Sequence, residues 1–129
     1  MRTQLKLTRD GDAFIARLTP RQAAAMYEAL SFLSERDHGD TELTLLVGAG
    51  REAVEALVAR LAGRHTESRD FRLTPAELHM AHSALTAAPT MFLERGGAFV
   101  QEPFHVRLGF YRENFDALAY AVVRAAADA

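Results

Sequence analysis

"TELTLLVGAGREAVEALV" (residues 41–58) is the stretch whose reading decides the fold. Its first seven residues alternate. Leu43, Leu45 and Val47 share one side, and Glu42 and Thr44 the other. An apolar period of two is the signature of a half-buried strand. A strand is therefore expected over 41–47, with Leu46 breaking the alternation near its end. Val54, Leu57, Val58 and Leu61 follow at i, i+3, i+4 and i+7, the pattern of an amphipathic helix, and Gly63 suits its end.

Gly48, Ala49 and Gly50 form the corner between them. With Ala53 the glycines fit the G-x-G-x-x-G/A spacing of dinucleotide-binding turns. That chemistry needs a strand apolar on both faces and a helix N-terminus free for phosphate. Glu42 and Thr44 make the strand one-sided. Glu52 and Glu55 sit in the first turns of the helix, where they complement its positive end and repel phosphate. Arg51 alone offsets them, no Lys-Ser/Thr follows, and Glu67 and Asp70 lie in a polar stretch. The corner reads as a tight turn that uses the conformational freedom of glycine. A small-ligand or nucleotide-binding protein using Gly48–Arg51 stands as the alternative function.

Toward the N-terminus, "QLKLTRDGDAFIARL" (4–18) carries Asp10-Gly11 at its centre, which suits a type I′ hairpin turn. That turn places Leu7 opposite Phe14 and Leu5 opposite Ala16. With Leu18 these side chains share one face, while Lys6, Thr8 and Arg17 take the other beside Ile15. A helix then starts at a capping box, with Thr19 as N-cap, Pro20 at the first position and Gln22 at the third. Ala23, Met26, Leu30 and Leu33 repeat at helical spacing, and Gly39 suits the helix end.

Toward the C-terminus, "RHTESRD" (64–70) reads as a polar loop. "RLTPAELHMAHSAL" (72–85) then repeats "RLTPRQAAAMYEAL" (17–30) without gaps. Thr74, Pro75 and Glu77 rebuild the capping box, and Leu73 can staple to Leu78. A shared helix start explains the repeat, with a duplicated strand–helix unit as the other reading. Two copies are too few for a repeat array. Pro89 is expected to end this helix. "TMFLERGGAFVQ" (90–101) reads as a short hairpin or an irregular loop. Glu102-Pro103 opens a last helix in which Phe104, Leu108, Tyr111, Phe115, Leu118 and Val122 form a heptad-type stripe. The order is an α+β one. A small antiparallel or mixed sheet, made of the N-terminal hairpin and a third strand, packs against about four amphipathic helices in one domain spanning 1–129.

Composition bounds the function. The chain has 129 residues, 49% apolar and 25% charged, with net charge −2 and no cysteine. Disulfides, thiol nucleophiles and Cys-ligated zinc are excluded. No clustered basic patch points to nucleic acid. No apolar run approaches a membrane span, and "MRTQLKLTRDGD" (1–12) lacks the apolar centre of a signal peptide, so a cytoplasmic protein is expected. Fourteen Arg against the single Lys6, with abundant Ala, fit a GC-rich bacterial source.

Polar constellations are thin. His79 and His82 are three apart beside Glu77, and Glu102 precedes His105 by three. The latter is the Glu-x-x-His spacing of carboxylate metal bundles, but Glu28 and Glu113 complete no set. No serine sits in a nucleophile elbow, and Asp10 and Asp12 are turn residues. No metal, cofactor or catalytic residue is assigned, and the reading leans away from an enzyme.

The final helix carries the functional expectation. Phe110 and Val106 lie off the main stripe, so the apolar arc is broad. Gly109 in mid-helix costs about 1 kcal/mol relative to Ala, which a close backbone approach would explain. Arg107, Phe110, Tyr111, Arg112 and Phe115 are the expected partner-binding residues, being of types enriched at interfaces. The expected function is a non-enzymatic bacterial regulatory or protein–protein interaction protein. It docks on a protein partner, of immunity or assembly-regulating type, or homodimerises through this helix.

Overall fold

The computed structural model describes residues 4–35, 39–63, 65–96 and 112–129, with only the backbone of 92–96. It shows three strands and five helices among them. These are β1 (Lys6–Asp10), β2 (Ala13–Leu18), α1 (Pro20–Glu35), α2 (Asp40–Val47), α3 (Arg51–Leu61), β3 (Arg69–Leu73), α4 (Pro75–Gly96) and α5 (Arg112–Asp128). The sheet is antiparallel throughout, in the order β1-β2-β3. This is an α+β fold with a small sheet.

The hairpin forms one position away from the expected turn. Asp10 pairs with Ala13, Leu7 with Ala16 and Arg9 with Phe14, so Gly11 and Asp12 are the two central residues. Gly11 has φ 63° and no described non-glycine residue has positive φ. Positive φ at the first central position alone is the type II′ pattern, and glycine belongs there. The displacement moves the pairing by two residues, which preserves the faces. Leu7, Phe14, Ala16 and Leu18 are buried, while Lys6, Thr8 and Arg17 are exposed.

The expected strand over 41–47 is a helix, α2. Glu42 accepts the Gly39 N–H, so Gly39 caps the start of α2 rather than ending α1. Gly48 ends it with φ 79°, its N–H donating to the Thr44 carbonyl at 2.8 Å. Leu43 and Val47, one helical turn apart, are fully buried, whereas Leu45 is 83% exposed. The apparent alternation joined an inward and an outward residue of one short helix.

The third strand is β3, inside and just after the stretch read as a polar loop. Only Phe71 and Leu73 are buried in it. Its position explains the repeat. Arg17-Leu18-Thr19-Pro20 ends β2 and opens α1, and Arg72-Leu73-Thr74-Pro75, 55 residues on, ends β3 and opens α4. The β2–β3 register sets Ala16 opposite Phe71, the position equivalent to it 55 residues on, with Phe14 opposite Leu73 and Leu18 opposite Arg69. A local two-fold thus passes between Ala16 and Phe71. The two copies thus occupy equivalent strand–helix positions, each a strand end followed by a capped helix start.

Both capping boxes are formed. Thr19 N–H donates to Gln22 Oε1 at 2.9 Å and Gln22 N–H to Thr19 Oγ1 at 3.2 Å. Thr74 N–H donates to Glu77 Oε1 at 2.9 Å and Glu77 N–H to Thr74 Oγ1 at 3.1 Å. The third residue of each box also reaches outward. The buried Gln22 donates from Nε2 to the Gln4 carbonyl at 2.8 Å, fixing the chain ahead of β1, and Glu77 pairs with Arg60 of α3 at 2.5 Å.

Helices α1 and α4 pack on each other, with α3 against α1 and α5 against α4, and share one core with the buried face of the sheet. Pro89 does not end α4. The helix continues to Gly96 through a buried proline flanked by buried Ala88 and part-buried Met91. Proline removes one helix hydrogen bond, and packing around 85–91 offsets that loss. Residues 90–96, expected in a hairpin or loop, are therefore helical, and 97–101 lie outside the described residues.

Candidate functional site

The Gly-Ala-Gly corner joins two helices, not a strand and a helix. Gly50 is the N-cap of α3. Asp40, from the first turn of α2, accepts the Arg51 N–H on Oδ1 at 2.9 Å. A side-chain carboxylate thus occupies the place that a phosphate would take. The Arg51 guanidinium turns away from the corner. It donates to the Ser34 carbonyl at 2.7 Å, tying α3 to the end of α1, and lies 3.7 Å from Glu55. From the other side, α4 closes on Gly48, where an added Cβ would lie 2.9 Å from His79 Cδ2.

Among the described residues the histidines form no ligand set. His79 Nε2 is 3.3 Å from Ser83 Oγ on the same exposed helix face, and His82 is half-buried. Among the described residues no group of three or more His, Asp or Glu side chains could hold a metal ion. Glu102 and His105 lie outside the described residues. The Glu77 carboxylate serves the capping box and Arg60. The acids of the turn serve Arg72, Asp10 at 3.0 Å and Asp12 at 3.7 Å.

Helix α5 divides into two sides. Phe115, Leu118, Ala119 and Val122 are buried against the core. Phe115 has no exposed surface, so the structure places this expected partner-binding residue inside the fold. Arg112 is half-buried, with its Nε 3.8 Å from Asp116. Arg107, Phe110 and Tyr111 lie outside the described residues, as do Val106, Gly109 and the proposed helix start at Glu102-Pro103.

The other side of α5 faces outward beside β1. Tyr120 is 63% and Val123 52% exposed, and they are two of three large apolar side chains so exposed among the described residues. A groove of about 830 Å³ runs between β1 and α5, lined by Leu5, Leu7, Ala117, Tyr120, Ala121 and Arg124 among others. Arg124 stands over the Tyr120 ring at 5.8 Å and donates to its hydroxyl at 3.1 Å, holding the aromatic side chain in place. Tyr120 and Val123 lie off the stripe of Phe115, Leu118 and Val122, and that is the sequence signal for this side. Which residues face out is visible only once the buried stripe is fixed by α4.

Among the described residues, no helix is long and apolar enough to cross a membrane. No protein-family model matches this chain, and neither a curated protein nor a solved structure matches it.

Proposed function

We propose that this protein is a non-enzymatic regulatory or interaction protein that works through protein contacts made by α5 and the neighbouring edge of the sheet. The observation that carries the reading is the exposed pair Tyr120 and Val123 on α5, of which Tyr120 lines the β1–α5 groove. Large apolar side chains grouped at a concave surface mark an interaction site more often than singly scattered ones. The nucleotide reading of Gly48–Arg51 loses its support, because Asp40 already fills the α3 N-terminus and His79 crowds Gly48.

The test is Tyr120→Asp combined with Val123→Asp. Both side chains are exposed, so the melting temperature is expected to stay within a few degrees, since surface changes are usually within about 0.5 kcal/mol. Association, followed by light scattering for the pure chain and by pull-down from the native cell, is expected to disappear. If every association of the wild type survives the double substitution, the surface is wrong.

A further inference from the structure

The two edges of the sheet differ. The two-residue turn makes Asp10 and Ala13 a hydrogen-bonded pair, and such pairs alternate along an antiparallel ladder. Thr8–Ile15 and Lys6–Arg17 are then bonded as well. The main-chain groups of Leu7 and Arg9 point away from β2. The same alternation turns the groups of Arg72 away from β2 on the far edge. There Arg60 donates to the Arg72 carbonyl, so the β3 edge is covered by a side chain from α3. Among the described residues, no strand pairs with the outer edge of β1. An open edge is a template for a further strand, and this one borders the groove below α5.

We infer that β1 pairs antiparallel with β1 of a second copy of this chain, about a two-fold axis at Thr8. This rests on the reading of α5 and its neighbouring edge as the interaction surface. The sequence of the strand, Lys6-Leu7-Thr8-Arg9-Asp10, selects the occupant. About Thr8, Lys6 comes opposite the partner's Asp10 and Asp10 opposite the partner's Lys6. Both ends of the pairing set opposite charges across the ladder on the solvent face, with Asp10 also holding Arg72 at 3.0 Å within its own sheet. Opposite charges directly across a ladder stabilise it and like charges destabilise it. A second copy supplies this complementarity automatically, as an isologous contact requires. Leu7 and the partner's Arg9 exchange main-chain hydrogen bonds, and the reciprocal pair does the same. The three-stranded sheets join into one of six strands. The second copy also brings its own groove, lined by Tyr120, to the same boundary.

Two experiments test the arrangement. Thr8 faces its symmetry mate in a non-hydrogen-bonded pair, where Cα atoms are about 4.5 Å apart, within disulfide reach. The chain has no cysteine, so Thr8→Cys is expected to become a covalent dimer under mild oxidation, while Ala59→Cys on exposed α3 stays monomeric. In the second, Lys6→Asp and Asp10→Lys each place like charges opposite each other twice, and self-association is expected to weaken about tenfold. Mixing the two variants restores both opposite-charge pairs, and a heterodimer of wild-type affinity is expected. Circular dichroism melting establishes that each variant is folded. If Asp10→Lys fails to fold, Arg9→Pro replaces it. Of the main-chain groups proline there removes only an outward N–H; the Arg9 guanidinium over the Phe14 ring goes with it, and a folded monomer is expected.

A wild type that stays monomeric at millimolar concentration overturns the inference. If Tyr120→Asp with Val123→Asp then still abolishes a complex with a different protein, the α5 surface stands and only the self-pairing falls. A dimer that neither charge variant weakens, or whose Thr8→Cys form does not cross-link, overturns the pairing as well.

Discussion

The Asp40 carboxylate accepts the Arg51 N–H at 2.9 Å, so the first turn of one helix caps the start of the next across the Gly-Ala-Gly corner. An N-terminal cap of this kind typically contributes about 1 kcal/mol. Asp40→Ala is therefore expected to lower the unfolding free energy by about that amount, with Asp40→Asn close to wild type. Denaturant midpoints at unchanged slope would measure it. With the carboxylate already at that N–H, millimolar ATP or NAD is expected to leave the melting temperature of the wild type unchanged.

Gly48 combines two constraints. Its φ of 79° disfavours any side chain, and an added Cβ would lie 2.9 Å from the His79 ring. Gly48→Ala is expected to destabilise by about 1–3 kcal/mol. Gly48→Ala with His79→Ala should recover the steric part and keep the backbone part. A double-mutant cycle separates them. Strict additivity would show that the ring moves aside freely.

The duplicated capping boxes make a paired prediction. Thr19→Ala and Thr74→Ala each remove a hydroxyl that accepts a helix N–H, at about 1 kcal/mol apiece. Gln22→Ala is expected to cost more than Thr19→Ala. It also frees the Gln4 carbonyl and leaves space in the core, whereas the Glu77 side chain is part-exposed. Chemical denaturation of the three single variants would rank them. Equal losses for Gln22 and Thr19 would contradict this ordering.

Arg60 guards the β3 edge through the Arg72 carbonyl while paired with Glu77. Arg60→Ala is expected to change stability by less than about 1 kcal/mol, as for other partly exposed pairs. It should raise aggregation on heating, because an uncovered edge invites pairing. Turbidity against temperature, beside the wild type, would detect this. An unchanged aggregation onset would remove the guarding role.

Much of the fold is legible in the residues. Thr-Pro-x-Gln and Thr-Pro-x-Glu mark two helix starts that form as read, and the apolar faces of the hairpin hold although its turn shifts. Two elements escape for opposite physical reasons. In α2, Leu43, Leu45 and Val47 imitate a strand, while the helical signals are its ends, Gly39 with Glu42 and Gly48. In β3, Arg69, Asp70 and Arg72 hide a strand whose evidence is its equivalence to β2 and its pairing with it. Tertiary packing decides both, since a short segment satisfies either period. The partner surface is legible only as a region. The heptad stripe contains Phe115, which the core claims, and the outward side at Tyr120 and Val123 depends on how α5 sits against α4.

The most direct test of self-pairing through β1 is the mass of the purified chain by sedimentation equilibrium over a wide concentration range. Pairing about Thr8 predicts a transition from 14.2 kDa to twice that mass, abolished by Arg9→Pro without loss of fold. A mass of 14.2 kDa at every concentration, up to millimolar, would contradict it.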